Sequence, residues 1–124
     1  MPIFGNASEA PATLNNAVDA ALKDDLNKFI PELIKGSSLE GAEEVKKING
    51  AFKAITELHG KFEGFDLISE KILSKRIRLV YFVLYFDGAP IYGVAEAYKR
   101  NNVETIKKFD LNGDVSEILP AHYR

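Results

Sequence analysis

Three turn signals, Asp87-Gly88, Asn101-Asn102 and Asn112-Gly113, punctuate residues 65 to 119 and separate runs rich in aromatic and β-branched residues. Short polar or glycine turns between such runs read as hairpins, so this half of the chain predicts an antiparallel meander. The expected strands are Phe65 to Leu73, Arg76 to Phe86, Pro90 to Arg100 and Val103 to Leu111. Pro90 has no amide hydrogen and suits the first residue of its strand. A sheet with an apolar face must be covered, and the covering material has to come from upstream.

Upstream the pattern is helical. From Leu14 the apolar residues Ala17, Val18, Ala21, Leu22, Leu26, Phe29, Ile30, Leu33 and Ile34 recur at three- and four-residue spacing, with Thr13 as a suitable N-cap. Pro31 lacks the amide hydrogen and would clash with the carbonyl of Asn27, so a kink or early stop is expected there. Gly36 ends the segment. Ser37 and Glu40 stand at capping-box spacing, and Leu39, Ala42, Val45, Ile48, Phe52 and Ile55 carry a second helical face to His59-Gly60. Gly41 and Gly50 weaken this second helix and divide it, on this reading, into two short pieces. Helices followed by hairpins define an α+β protein with the helices on one face of the sheet.

With 124 residues the chain is expected to form one domain, residues 1–124, with residues 1–12 as a flexible arm. Its 16 basic and 18 acidic residues leave a formal charge of −2, which speaks against nucleic acid and against anionic membranes as partners. The absence of cysteine excludes disulfides, thiolate nucleophiles and sulfur-ligated zinc. Met1 to Ala10 lacks the basic start and apolar centre of a secretion signal, so a cytoplasmic location is the default expectation. A mature exported, periplasmic chain with an added Met1 would look the same. Asn6-Ala7-Ser8 matches a glycosylation sequon, a pattern short enough to arise by chance.

Regular turns allow the strands to be paired. A turn over Asp87 to Pro90 sets Phe86 opposite Ile91, Tyr85 opposite Tyr92, Val83 opposite Val94, Tyr81 opposite Glu96 and Leu79 opposite Tyr98. A two-residue Asn101-Asn102 turn sets Tyr92 opposite Leu111, Val94 opposite Phe109, Glu96 opposite Lys107 and Tyr98 opposite Thr105. One face is then apolar around a centre of Glu96, Lys107 and Tyr81, ringed by Tyr85, Tyr92 and Tyr98. These six residues form the expected pocket. The other face carries Val80, Phe82, Leu84, Phe86 and Ile91, an expected dimer face, and turns polar at Glu104, Lys108 and Asp110. A single β-bulge would exchange the faces beyond it.

Two amphipathic helices, Gly60-Lys61-Phe62-Glu63-Gly64-Phe65, Ser69-Glu70-Lys71, Arg78 with Tyr81 and Tyr85, Pro90, Tyr98-Lys99 and an end near Ile118-Leu119 together resemble small bacterial proteins of the NTF2-like superfamily. The resemblance covers Leu14 to Leu119 in layout and residue pattern. It implies an NTF2-like (cystatin-like) cone, in which a curved meander wraps the helices, with a pocket at the open end and often a homodimer through the outer sheet face. The superfamily mixes isomerases, dehydratases, cyclases and binding modules, so the fold does not select a function. Ketosteroid isomerase carries a tyrosine on its first helix, and Thr13 to Ile34 has none. Scytalone dehydratase uses pocket histidines, whereas this chain has only His59 and His122.

Three readings of function remain. The leading one is a non-enzymatic module holding a small, mostly apolar ligand among the tyrosines. An enzyme would use Glu96 as base with Tyr81 or Lys107 as electrophilic partner. An assembly module would associate through the Phe82, Leu84, Phe86 and Ile91 patch. No catalytic signature, cofactor motif or metal set supports more: Asp110, Asn112 and Asp114 begin like a calcium loop, but Val115 replaces its glycine and Ala121 its glutamate. His59 beside Gly60 suits a helix C-terminus better than a ligand role.

Overall fold

The computed structural model describes residues 10–23 and 26–123. Most of the expected arm and the sequon lie outside the described residues. The architecture is α+β, with helices packed against an open four-stranded antiparallel sheet. Helix α1 spans Ala12–Lys23, a single turn follows at Leu26–Lys28, α2 spans Phe29–Leu33 and α3 spans Glu43–His59. Strands β1 (Phe62–Ile72), β2 (Ile77–Phe86), β3 (Pro90–Arg100) and β4 (Val103–Asn112) pair in sequence order.

The helical breaks have local causes. The α1 helix begins at Ala12, one residue before Thr13, and the Pro11 carbonyl accepts from the amides of Leu14 (2.9 Å) and Asn15 (3.1 Å). Pro31 is the third residue of α2, where an amide would have no intrahelical acceptor, so the chain breaks before the proline and restarts around it. Ser37 and Glu40 do not cap α3. They staple the preceding turn: Ser37 Oγ donates to the Ile34 carbonyl (2.7 Å), and Glu40 accepts from the Gly36 amide (2.9 Å). Gly41, at φ +80°, keeps that turn out of the helix, whereas Gly50 is helical and α3 runs unbroken. Glu43 and Glu44 in its first turn and His59 in its last complement the helix dipole.

The core lies between the helices and one sheet face. Leu14, Ala17 and Val18 of α1, Phe29, Ile30 and Leu33 of α2, and Phe52 of α3 meet Phe82, Leu84, Phe86, Ile91, Ala95, Ala97 and Ile106. Phe29 stacks on Phe52 at 5.2 Å, Phe52 meets Phe86 edge-on at 6.1 Å, and Phe62 tilts against Phe86 at 5.4 Å. This places the expected dimer face inside the molecule. Val80, Phe82, Leu84, Phe86 and Ile91 are all less than 5% exposed beneath the helices of their own chain. The reason is chemical: that face carries no hydroxyl, while burying the opposite face would require partners for four tyrosine hydroxyls.

The register differs from expectation in two places, once through a turn and once through a bulge. Asp87-Gly88 is a two-residue turn closed by the Phe86 amide on the Ala89 carbonyl (3.1 Å), so Tyr85 opposes Pro90, Val83 opposes Tyr92, Tyr81 opposes Val94 and Leu79 opposes Glu96. The slide from the expected pairing is two residues and leaves the faces unchanged. Asn101 and Asn102, at φ 52° and 63°, form the expected turn and set Tyr98 opposite Thr105. Beyond it Ala97 opposes Ile106 but Glu96 opposes Lys108, so Lys107 is the extra residue of a bulge. Past Lys107 the faces exchange: Phe109 and Leu111 turn to the helices and pack on the core, while Lys108 and Asp110 turn away.

Small residues run along the inner face of β3, at Gly93, Ala95 and Ala97. A Cβ on Gly93 would lie 2.4 Å from Phe82 Cζ and 2.9 Å from Leu111 Cδ2, so the Phe82 ring occupies the space above that strand. Gly93→Ala is expected to destabilise the protein by about 1–3 kcal/mol through overpacking. Urea unfolding checks this, and an unchanged midpoint would show that the ring can move aside.

Candidate functional site

On the sheet face away from the helices, alternation along β2 and β3 presents Tyr81, Tyr85, Tyr92, Glu96 and Tyr98. The chain after β4 folds back over part of this face. Asp114 caps the turn Val115–Glu117 by accepting from the Ser116 amide (2.9 Å) and hydroxyl (2.7 Å), and this delivers Ile118 and Leu119 onto Tyr81, which is buried with them. A shallow cavity of about 220 Å³ remains, lined by Leu79, Tyr81, Val94, Glu96, Lys108 and Ile118 among others. Tyr81 and Glu96 line this cavity together with Lys108, although Tyr81 opposes Val94 rather than Glu96. Lys107 is exposed at the bulge. Tyr85 stands apart and donates to Asp66 Oδ2 at 2.7 Å. That bond favours the neutral phenol and raises the Tyr85 pKa, with desolvation and the Asp66 charge acting the same way.

A larger polar assembly lies on the inner face, at the end of the sheet formed by the β1–β2 and β3–β4 turns. Arg78 Nε and Nη2 donate to the two carboxylate oxygens of Glu104 at 2.8 and 2.7 Å, and Nη1 donates to Glu70 at 2.7 Å. The guanidinium thus ties β1, β2 and β4 together. It passes over β3 at Ala97, the residue directly opposite Arg78, where a methyl group leaves room. The three side chains are 16–20% exposed. The forked bond to Glu104 raises the Arg78 pKa most, burial opposes it, and Glu70 adds to the rise, so the guanidinium stays charged.

This cluster lies in the wall of a cleft of about 900 Å³. The cleft runs between the start of α1 (Ala12, Thr13, Asn15), the turn after α2 (Lys35, Gly36) and the two sheet turns, where Ile72, Lys75, Arg76, Lys99 and Val103 contribute. Sequence reading passed over it, although a signal exists. Arg78 shares its parity with Val80, Phe82, Leu84 and Phe86, and a charge at the head of an otherwise apolar inward row requires charged partners nearby. Glu104 was already assigned to that same face.

No family model matches the sequence, and no curated protein matches it. Among solved structures, the chain is similar to the intermembrane space region of chloroplast protein ARC6, with a TM-score of 0.44 and 14% identity over 82% of this chain and 88% of that one. The fold and site define an α+β domain with an open meander, an inner-face cleft and a partly covered outer face.

Two measurements probe the site. Arg78→Ala leaves two carboxylates without their common partner. Because the groups keep some solvent contact, the expected loss is about 1–3 kcal/mol, with strong coupling to Glu104→Ala in a double-mutant cycle. Additive effects would mean that the forked bond contributes nothing. The Tyr85 phenol is expected to titrate above the ordinary tyrosine range and to return toward it in Asp66→Asn, read by ultraviolet difference absorbance. The folded chain holds this proton more tightly than the unfolded one, so the associated stability is present at neutral pH and disappears as pH rises through the folded-state value.

Proposed function

We propose that the chain is an NTF2-like domain that binds a small molecule in the cleft beside Arg78 and catalyses no reaction on it. The observation that carries this reading is the cleft of about 900 Å³, a size within the roughly 300–1,000 Å³ typical of small-molecule sites. The cavity beside Tyr81 and Glu96, at about 220 Å³, falls below that range, which moves the favoured site from the tyrosine face to the inner face. An apolar ligand body would rest on Ile72, Ile77 and Val103, with Thr13, Asn15 and Thr105 offering polar contacts. Arg78 and its two carboxylates satisfy one another and form a fixed wall. A guanidinium that stays charged and carboxylates engaged as acceptors give no poised acid–base pair.

Native mass spectrometry of gently purified protein tests the proposal. A bound small molecule is expected, lost in Thr105→Trp, whose ring would fill the cleft. A ligand at about 100 times its Kd would stabilise the protein by about 2.7 kcal/mol and raise Tm correspondingly. An empty wild type with no thermal response to a diverse small-molecule set, together with identical anilinonaphthalene sulfonate binding by wild type and Thr105→Trp, would overturn it.

A further inference from the structure

Three of the six exposed large apolar side chains among the described residues gather at one end of the sheet: Ile72 (63% exposed), Leu73 (51%) and Val103 (62%). They sit on two hairpin ends that lie side by side, since the Lys99 amide donates to the Arg76 carbonyl at 2.8 Å and Ile77 pairs with Tyr98. Neither end is a loose loop that could fold its apolar groups away. In the first, the amides of Leu73 and Ser74 both donate to the Ile77 carbonyl (2.9 and 3.1 Å), and Ser74 Oγ accepts from Arg76 and Ile77 (3.2 Å each). In the second, the left-handed Asn101 and Asn102 fix the turn.

The same two ends carry five exposed cations, Lys71, Lys75, Arg76, Lys99 and Arg100. Glu70 and Glu104 are both held by Arg78, so that cluster contributes a charge of only −1 against them. The whole-chain charge of −2 conceals this arrangement, because the excess of acid lies elsewhere. We infer that this end of the molecule docks on an anionic lipid bilayer, with Ile72, Leu73 and Val103 entering the headgroup boundary and the five cations lying against the lipid anions.

Charge complementarity and shape single out that occupant. Aliphatic side chains on protruding, rigid turns, flanked by cations, match a surface that is anionic outside and apolar a few ångströms in. A protein interface would need a core depleted of charge, and here Lys71 and Lys75 flank Ile72 and Leu73 in the chain. A nucleic acid would satisfy the cations but offers nothing to three aliphatic side chains. Ile72, Val103, Lys75, Arg76 and Lys99 also line the rim of the cleft, so the docking is tested on protein without added ligand, and Leu73, which is outside the cleft lining, separates it from the small-molecule reading.

Vesicle co-sedimentation tests this, with phosphatidylcholine alone and with phosphatidylcholine containing roughly a third phosphatidylserine. Binding is expected to the mixed vesicles at low salt and to be lost on neutral ones. Each removed cation should lower partitioning about fivefold, so Lys75→Gln with Arg76→Gln lowers it about 25-fold. Leu73→Ser should lower it about tenfold, whereas Leu58→Ser, at the most exposed apolar position and the other end of the sheet, should change nothing. Circular dichroism confirms that each variant is folded. A wild type that ignores mixed vesicles overturns the inference, as does equal loss in Leu58→Ser. Displacement by free glycerophosphoserine at millimolar concentration would also overturn it, because it would place a headgroup in a pocket rather than the turns on a surface.

Discussion

The inner face of this sheet is built around a missing side chain. With no Cβ at Gly93, the Phe82 ring of β2 lies over β3, and Leu111 of β4 borders the same space. Ala95 and Ala97 continue the thinning toward the cleft, and at Ala97 the residue that crosses is Arg78 on its way to Glu104. The row of small residues therefore does two jobs along one strand. In the middle it lets an aromatic ring fill the core beneath α1 and α2, and at the end it lets a guanidinium bind two other strands. A larger residue anywhere in the row would displace either the ring or the ion pair, because interiors packed at crystal density leave no slack.

Much of the fold was legible. The four strands begin and end within a few residues of their expected limits, because Asp87-Gly88, Asn101-Asn102 and Asn112-Gly113 mark three of the boundaries with residues that favour turns. The two-residue slide at Asp87-Gly88 did no harm, since side chains alternate with a period of two. The bulge at Lys107 did matter, and its trace is visible in retrospect: Ile106, Phe109 and Leu111 are spaced by three and then two, so strict alternation cannot place all of them on one face. Pairing by turns alone missed this because a turn fixes register only up to the first irregularity.

The candidate site was less legible, and the reason is which face the helices chose. Tyrosines and a Glu–Lys pair suggest a pocket, yet covering that face with helices would bury four tyrosine hydroxyls as well as charges, while the face of Val80, Phe82 and Leu84 is apolar except at its Arg78 end, where Glu70 and Glu104 supply the partners. The outer face instead receives the short segment carrying Ile118 and Leu119, which covers Tyr81 and leaves Tyr85 bonded to Asp66 at its margin. Arg78 lies 8 residues from Glu70 and 26 from Glu104 in sequence, and the three meet only because β1, β2 and β4 are brought together over a thinned β3.

The bulges have a further consequence, for growth of the sheet. All three extra residues, Glu63 and Ile68 on β1 and Lys107 on β4, fall on the two outermost strands, while the β2–β3 ladder is regular throughout. An incoming strand needs an evenly spaced row of free amides and carbonyls, and each bulge interrupts that row. The irregularities that set the inner and outer faces therefore also end the sheet, discouraging a neighbouring molecule from adding a fifth strand at either margin.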